Sequence, residues 1–236
     1  MRRVAVAIAV LISCLVASCT PLMSDGGQEA LPHDTLTDWA TYGDVLVTVT
    51  VTDERRQPMT AEEQSRGEGF EARIVTLNIG QPTWERSGDR HDLPASLTAA
   101  NGGWIINTEF GVKTERRLQL RGQTVADVGH QYLALLTYTD ITAIIDPDTR
   151  KVTAGEGAAW TILDMLPMAN GRPTLPEGRQ TPALRAVTGR TAQEAGELLQ
   201  ATTPDPAAAN YMTLDPTVRY QYTQLDRQHP RRSPGP

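Results

Sequence analysis

The chain is poor in cysteine, lysine and aromatic rings: its 236 residues hold 2 Cys, 2 Phe, 4 Trp and 6 Tyr, the aromatics amounting to 5%. Two cysteines cannot make a disulfide framework, so the fold must be held by its core. No apolar run reaches the roughly 20 residues that a helix needs to cross a bilayer. Lysine occurs only as Lys113 and Lys151, every other basic residue is arginine, and the formal charge is −6. An acidic chain without clustered basic residues argues against nucleic acid as a partner, because that affinity rests on neutralising phosphates.

Motifs for chemistry are lacking as well. There is no Gly-x-Ser-x-Gly elbow, and His33, His91, His130 and His229 stand apart with no His-x-x-x-His, Cys-x-x-Cys or EF-hand spacing. The sequence implies no catalytic residue, metal or cofactor. Glu62, Glu63, Glu68 and Glu71 lie in a stretch interleaved with arginine, the pattern of a solubilising surface rather than of a paired-carboxylate cleft.

What is present begins at the N-terminus. Arg2 and Arg3 precede the apolar run Val4 to Ile12, followed by Val16-Ala17-Ser18-Cys19. A positive start, a short apolar stretch and small residues before a break describe a cleavable export signal. Val16-Ala17-Ser18-Cys19 resembles the bacterial lipobox, whose cysteine is diacylated on sulfur and becomes the mature N-terminus. Anchoring then comes from lipid rather than a spanning helix. Leu11-Ile12-Ser13-Cys14 meets the same short pattern with a shorter apolar stretch, and simple secretion after Ala17 or Ser18 is the other alternative. Cleavage before Cys19 leaves 20 basic against 28 acidic side chains, a formal charge of −8. Such a domain stays in solution beside an anionic membrane.

With 39% hydrophobic and 21% charged residues, the remainder suits one globular domain. Residues 1–18 are read as the signal, 19–34 as a flexible tether, 35–226 as the domain and 227–236 as a disordered tail. Leu36, Trp39 and Ala40 predict a short helix stopped at Gly43. Val45, Val47, Val49 and Val51 alternate with Leu46, Thr48, Thr50 and Thr52, predicting a central strand over 44–53. Glu54 to Phe70 reads as an exposed loop with a helical turn at Thr60, followed by a strand over 71–79 that pairs with the first. A loop is expected over 81–93, two short strands about Asn101-Gly102-Gly103, another alternating piece at Arg117 to Leu120, and a buried strand over 131–138. A hairpin turns at Asp146-Pro147-Asp148-Thr149. Trp160 to Met168 reads as a lid on an open barrel end, and Thr191 opens a helix running to about Thr202. The fold expected is mainly β: a partly open OB-like β-barrel with a short N-terminal and a C-terminal helix and disordered ends.

Three pieces of the chain, Asp38 to Val49, Arg73 to Ile79 and Val128 to Leu136, resemble a group of uncharacterised actinobacterial exported proteins and lipoproteins over about residues 35–155. The near absence of lysine agrees with the coding bias of that group. The strand order is also distantly similar to netrin-like and TIMP-like modules, which are OB-type barrels, although their cysteines are missing here. The resemblance implies a fold and brings no catalytic residue.

Two functions follow as expectations. The first is a non-enzymatic lipoprotein on the outer face of the cytoplasmic membrane that binds an envelope protein or polymer, with Trp84, Arg90 and His91 as candidate interaction surface. The second is a carrier or enzyme for a lipid-like small molecule, with a pocket near residues 160–168.

Overall fold

The computed structural model describes residues 31–86, 91–109, 112–118, 124–153 and 155–228. The proposed signal, Cys19, most of the tether, Arg90 and the tail beyond residue 228 lie outside the described residues. The first helix, α1 (Leu36–Tyr42), starts where the sequence predicts. The Thr35 hydroxyl accepts from the Asp38 amide at 3.1 Å, and the Asp38 carboxylate accepts from the Thr35 amide at 2.9 Å. This reciprocal cap satisfies two of the free amides at the helix start. Trp39 is fully buried and donates from its indole to the His33 carbonyl at 2.9 Å.

Strand β1 (Val45–Gln57) carries the predicted alternation but continues four residues past Asp53. Helix α2 (Ala61–Arg66), opened by Thr60 and Glu63 as a second capping box, leads into β2 (Glu68–Glu85), which pairs antiparallel with β1. The loop expected over 54–70 is therefore largely a charged hairpin. Its strands pair through the backbone ladder and carry charged rather than apolar side chains: Arg56 meets Glu71 at 3.2 Å and lies 3.7 Å over the Trp104 ring, and Arg73 donates to Glu54 at 2.9 Å. A hydrophobic periodicity cannot reveal strands stabilised this way.

Strand β3 (Ser96–Glu109) is one continuous strand rather than two. Ala72 pairs with Gly103 and Ile74 with Ala100, so Asn101-Gly102 forms a bulge instead of a turn. Gly102 takes φ +74°, which favours glycine. The bulge receives the buried Arg73 guanidinium, which donates to Asn101 Oδ1 at 2.9 Å and to the Ala126 carbonyl at 2.6 Å. Strand β4 (Val112–Leu118) forms the exposed edge beyond β3.

The buried strand appears as β5 (Gln131–Thr139), and the expected hairpin as β6 (Ile144–Ile145) and β7 (Val152–Thr153), with Asp146 accepting from the Asp148 and Thr149 amides at 2.9 Å each. The segment expected as a lid is strand β8 (Ala159–Ala169), paired with β5 and followed by β9 (Arg172–Pro173). Leu135 pairs with Asp164 but Leu136 with Ile162, so Leu163 is an inserted residue that breaks the alternation. The sheet order is β4-β3-β2-β1-β5-β8-β9. Leu97 and Ala99 of β3 nevertheless pack in one cluster with Ile162 and Met165 of β8, so the sheet curls strongly about Val45, Val47, Val49 and Val51. Thr124 bridges the gap, accepting on its carbonyl from Asn101 at 2.8 Å and donating its hydroxyl to the Met165 carbonyl at 2.6 Å. Strand pairing does not close the ring, and β4 and β9 remain edges among the described residues. The fold is mainly β, with one large open antiparallel sheet.

The outer face, with Leu46, Trp84, Leu133, Leu135 and Leu166, is covered by α1, α3 (Pro182–Val187) and α4 (Ala192–Gln200). Helix α4 matches its predicted start, the Thr191 hydroxyl accepting from Glu194 at 3.1 Å. Thr191→Ala is expected to cost about 1 kcal/mol and lower Tm by about 2–4 °C, read by thermal circular dichroism. After a 3-10 helix (Pro206–Tyr211), α5 (Pro216–Gln228) packs on Ala143 and on Ile145 of β6 through Val218, Tyr222 and Leu225. It includes Arg227 and Gln228, assigned to the tail by sequence, because Arg227 pairs with Asp205. Arg219 is buried and donates to the carbonyls of Thr41, Tyr211, Met212 and Leu214. Burial and the neighbouring Arg86 pull its pKa down to about 10, which leaves it charged at neutral pH. No described helix is long and apolar enough to cross a membrane.

Candidate functional site

Of the three residues expected as an interaction surface, Trp84 and His91 are described, and they differ in burial. Trp84 is 7% exposed, pairs with Leu46 and belongs to the core beneath the helices. The reason is the length of β2: Trp84 lies inside a strand rather than in a loop. Arg90 is outside the described residues. His91 is exposed, as expected, yet its ring is engaged: it stacks on Tyr138 with centroids 3.8 Å apart and planes 23° apart.

That contact marks the open end of the curled sheet. Strand β1 begins at Val45, opposite Leu136, whereas β5 and β8 extend beyond it to the pair Tyr138 and Trp160. The two rings, both half-buried, meet edge to face at 5.6 Å and 66°. The Trp160 indole donates to the Asp92 carbonyl at 3.0 Å, and Trp160 and Leu93 pack against the inner core. The β5 end is fixed from beneath: Asp44 accepts from the Tyr138 amide at 2.7 Å and from the Thr137 hydroxyl at 3.1 Å, while Arg86 donates to Asp44 at 3.0 Å. His91 and Trp160 thus both lie against Tyr138 at this mouth.

Residues 160–168 divide between the two faces of the sheet. Trp160, Ile162 and Met165 belong to the inner core, and Leu163, Leu166 and Met168 pack with the helix-covered face. Chemistry at the mouth is that of an aromatic corner, whose ring faces and edges suit contact with flat groups.

The buried charged groups sit elsewhere. The Asp164 side chain is 0% exposed and receives two bonds of 2.8 Å from the Arg179 guanidinium. Burial pushes its carboxyl up, opposed by Arg179 and His33. Asp140 shows the reverse outcome: burial works against its charge, yet bonds from Thr142, Gly155 and Gly157 hold the carboxyl below its usual range. Among the described residues no three His, Cys, Asp or Glu side chains converge to hold a metal. No family description matches the chain, and neither a curated protein nor a solved structure matches it significantly.

Proposed function

We propose that the chain is an exported lipoprotein, held by lipid on Cys19 at the outer face of the cytoplasmic membrane, which acts as a non-enzymatic binding module for an envelope protein or polymer. The observation that carries the anchor is the order Arg2-Arg3, the apolar run to Ile12, and Val16-Ala17-Ser18-Cys19. The likeness to netrin-like modules belongs to the same reading, in which the curled sheet is a partly open OB-like barrel binding at one end. Support for binding over carriage comes from the inner face, where Val47, Val49, Val51, Leu77 and Leu136 are buried against one another. A carrier of this architecture would keep an enclosed cavity there.

Site-specific photo-crosslinking in cells tests the binding end. A crosslinker at Glu156, exposed four residues before Trp160, is expected to trap a discrete envelope component. The same group at Val128, 47% exposed before the opposite end of β5, is expected to trap none. Equal yields from both positions would contradict a binding end at the mouth.

A further inference from the structure

We propose that the corner formed by the Tyr138 and Trp160 rings, where the His91 imidazole stacks on Tyr138, is a binding site for a neutral pyranose ring of an envelope glycan, and that His91 is the group the sugar displaces. The proposal rests on the binding-module reading for its location and is independent of the lipid anchor.

Four observations carry it. In a chain with few aromatics, Trp39, Tyr42, Trp84 and Tyr132 are consumed by the core, while Tyr138 and Trp160 stand half-buried at the open end. Their planes, 66° apart, make a corner, and Trp160 packs against the same inner core as Leu93 and Ile162. Both walls are pre-set, Trp160 by its bond to the Asp92 carbonyl and the Tyr138 backbone by Asp44. A ligand entering there orders little protein. The His91 ring lies on Tyr138 at ordinary stacking distance and comes from a segment outside the strands, so the face of Tyr138 accepts a flat group from the solvent side.

The chemistry of the occupant follows from the walls and the charge. The C–H face of a pyranose packs on an aromatic ring much as the imidazole does, while its hydroxyls keep contact with water and with acceptors such as the exposed Asp92 carboxylate. An excess of acidic residues, −8 after signal removal, selects against anionic polymers. Because His91 competes for the same surface, apparent affinity is reduced by the fraction of molecules in which the corner is open.

The test is isothermal titration of the processed full chain, in a zwitterionic detergent without a sugar head group, with maltotriose, diacetylchitobiose and a uronic-acid trisaccharide. A neutral oligosaccharide is expected to bind, and the uronic-acid trisaccharide more weakly. His91→Ala is expected to tighten binding about 3–10-fold by removing the competitor. Trp160→Ala is expected to weaken it about 10-fold or more, with Trp160→Phe retaining most of it and guarding against misfolding. No heat from either neutral sugar with wild type or His91→Ala, weaker binding by His91→Ala, tighter binding of the anionic sugar, or an unchanged Trp160→Ala would each overturn the proposal. If sugars fail while Glu156 still crosslinks one envelope protein, the sugar is wrong and the module stands. If end-specific crosslinking fails too, both are wrong.

Discussion

Cys19→Ala is expected to abolish incorporation of labelled fatty acid into the chain, whereas Cys14→Ala is expected to label as the wild type does. The segment preceding Cys19 has nine apolar residues in Val4 to Ile12 followed by Leu15-Val16-Ala17-Ser18. Cleavage before Cys14 would take Leu11-Ile12-Ser13 as the cleavage motif and leave only Val4 to Val10 as the apolar stretch, and cleavage without lipid would leave Cys19 as an unpaired exported thiol. Two acyl chains on one sulfur bury many methylenes at about 0.8 kcal/mol each, enough for stable anchoring where one chain is marginal. The processed wild type is therefore expected in the membrane fraction, with labelled acyl chains, at about 100-fold excess over the soluble fraction. Label retained by Cys19→Ala and lost from Cys14→Ala would move the anchor to Cys14. Label on neither wild type nor variants would leave a simply secreted protein.

Arg179→Met is expected to destabilise the domain by about 3–5 kcal/mol near neutral pH, because it leaves the Asp164 carboxylate buried without its partner. Asp164 is a fully buried residue of β8 and receives both guanidinium bonds at 2.8 Å, so no solvent replaces them without opening the structure. The loss depends on pH with a definite sign. Burial raises the Asp164 pKa in the folded state, so the folded chain holds a proton where the unfolded chain has released it. Stability contributed by this group is then full below the ordinary aspartate range and falls as pH rises through the raised value. Removing Arg179 removes the strongest opposing influence and lifts the carboxyl further. The deficit of the variant relative to wild type should accordingly grow from about pH 4 to about pH 7.5 in urea unfolding. The pair Arg179→Met with Asp164→Leu should recover most of it. An equal deficit at both pH values would show that Arg179 acts through packing alone.

Much of the fold was legible because local chemistry and burial agree at several places. Val45 to Val51 alternate along a strand with a buried inner face, and Thr35, Thr60 and Thr191 each precede an acid by three residues and start a helix. The misreadings arose where other forces hold a strand. Arg56, Glu71 and Glu115 pair across strands, so the hairpin over 54–70 looked like a polar loop. Asn101-Gly102-Gly103 reads as a turn until Arg73 is seen seated in the bulge. Leu163 is an inserted residue, and a single insertion scrambles the period on which β8 would be recognised. Helix α5 carries a buried Arg219 that donates to the Thr41 carbonyl, 178 residues away, a contact with no local signature.

The candidate site was legible only in pieces. His91 stood out as a loop histidine and Trp160 as one of an apolar group, but they approach each other through a bond spanning 68 residues, from Trp160 to Asp92. Only the pairing of β5 with β8 and the extension of both past β1 place these rings at one mouth. Trp84 was drawn into the surface because the end of β2 was set too early.

The most direct test of a lipid-anchored binding module with a filled interior is the native mass of the chain extracted gently from membranes. The expected mass is that of residues 19–236 with a diacylglyceryl group on the Cys19 sulfur and no other stoichiometric small molecule. A chain without lipid, or one retaining a defined small molecule besides its anchor, would contradict the account, the first by removing the anchor and the second by making the protein a carrier.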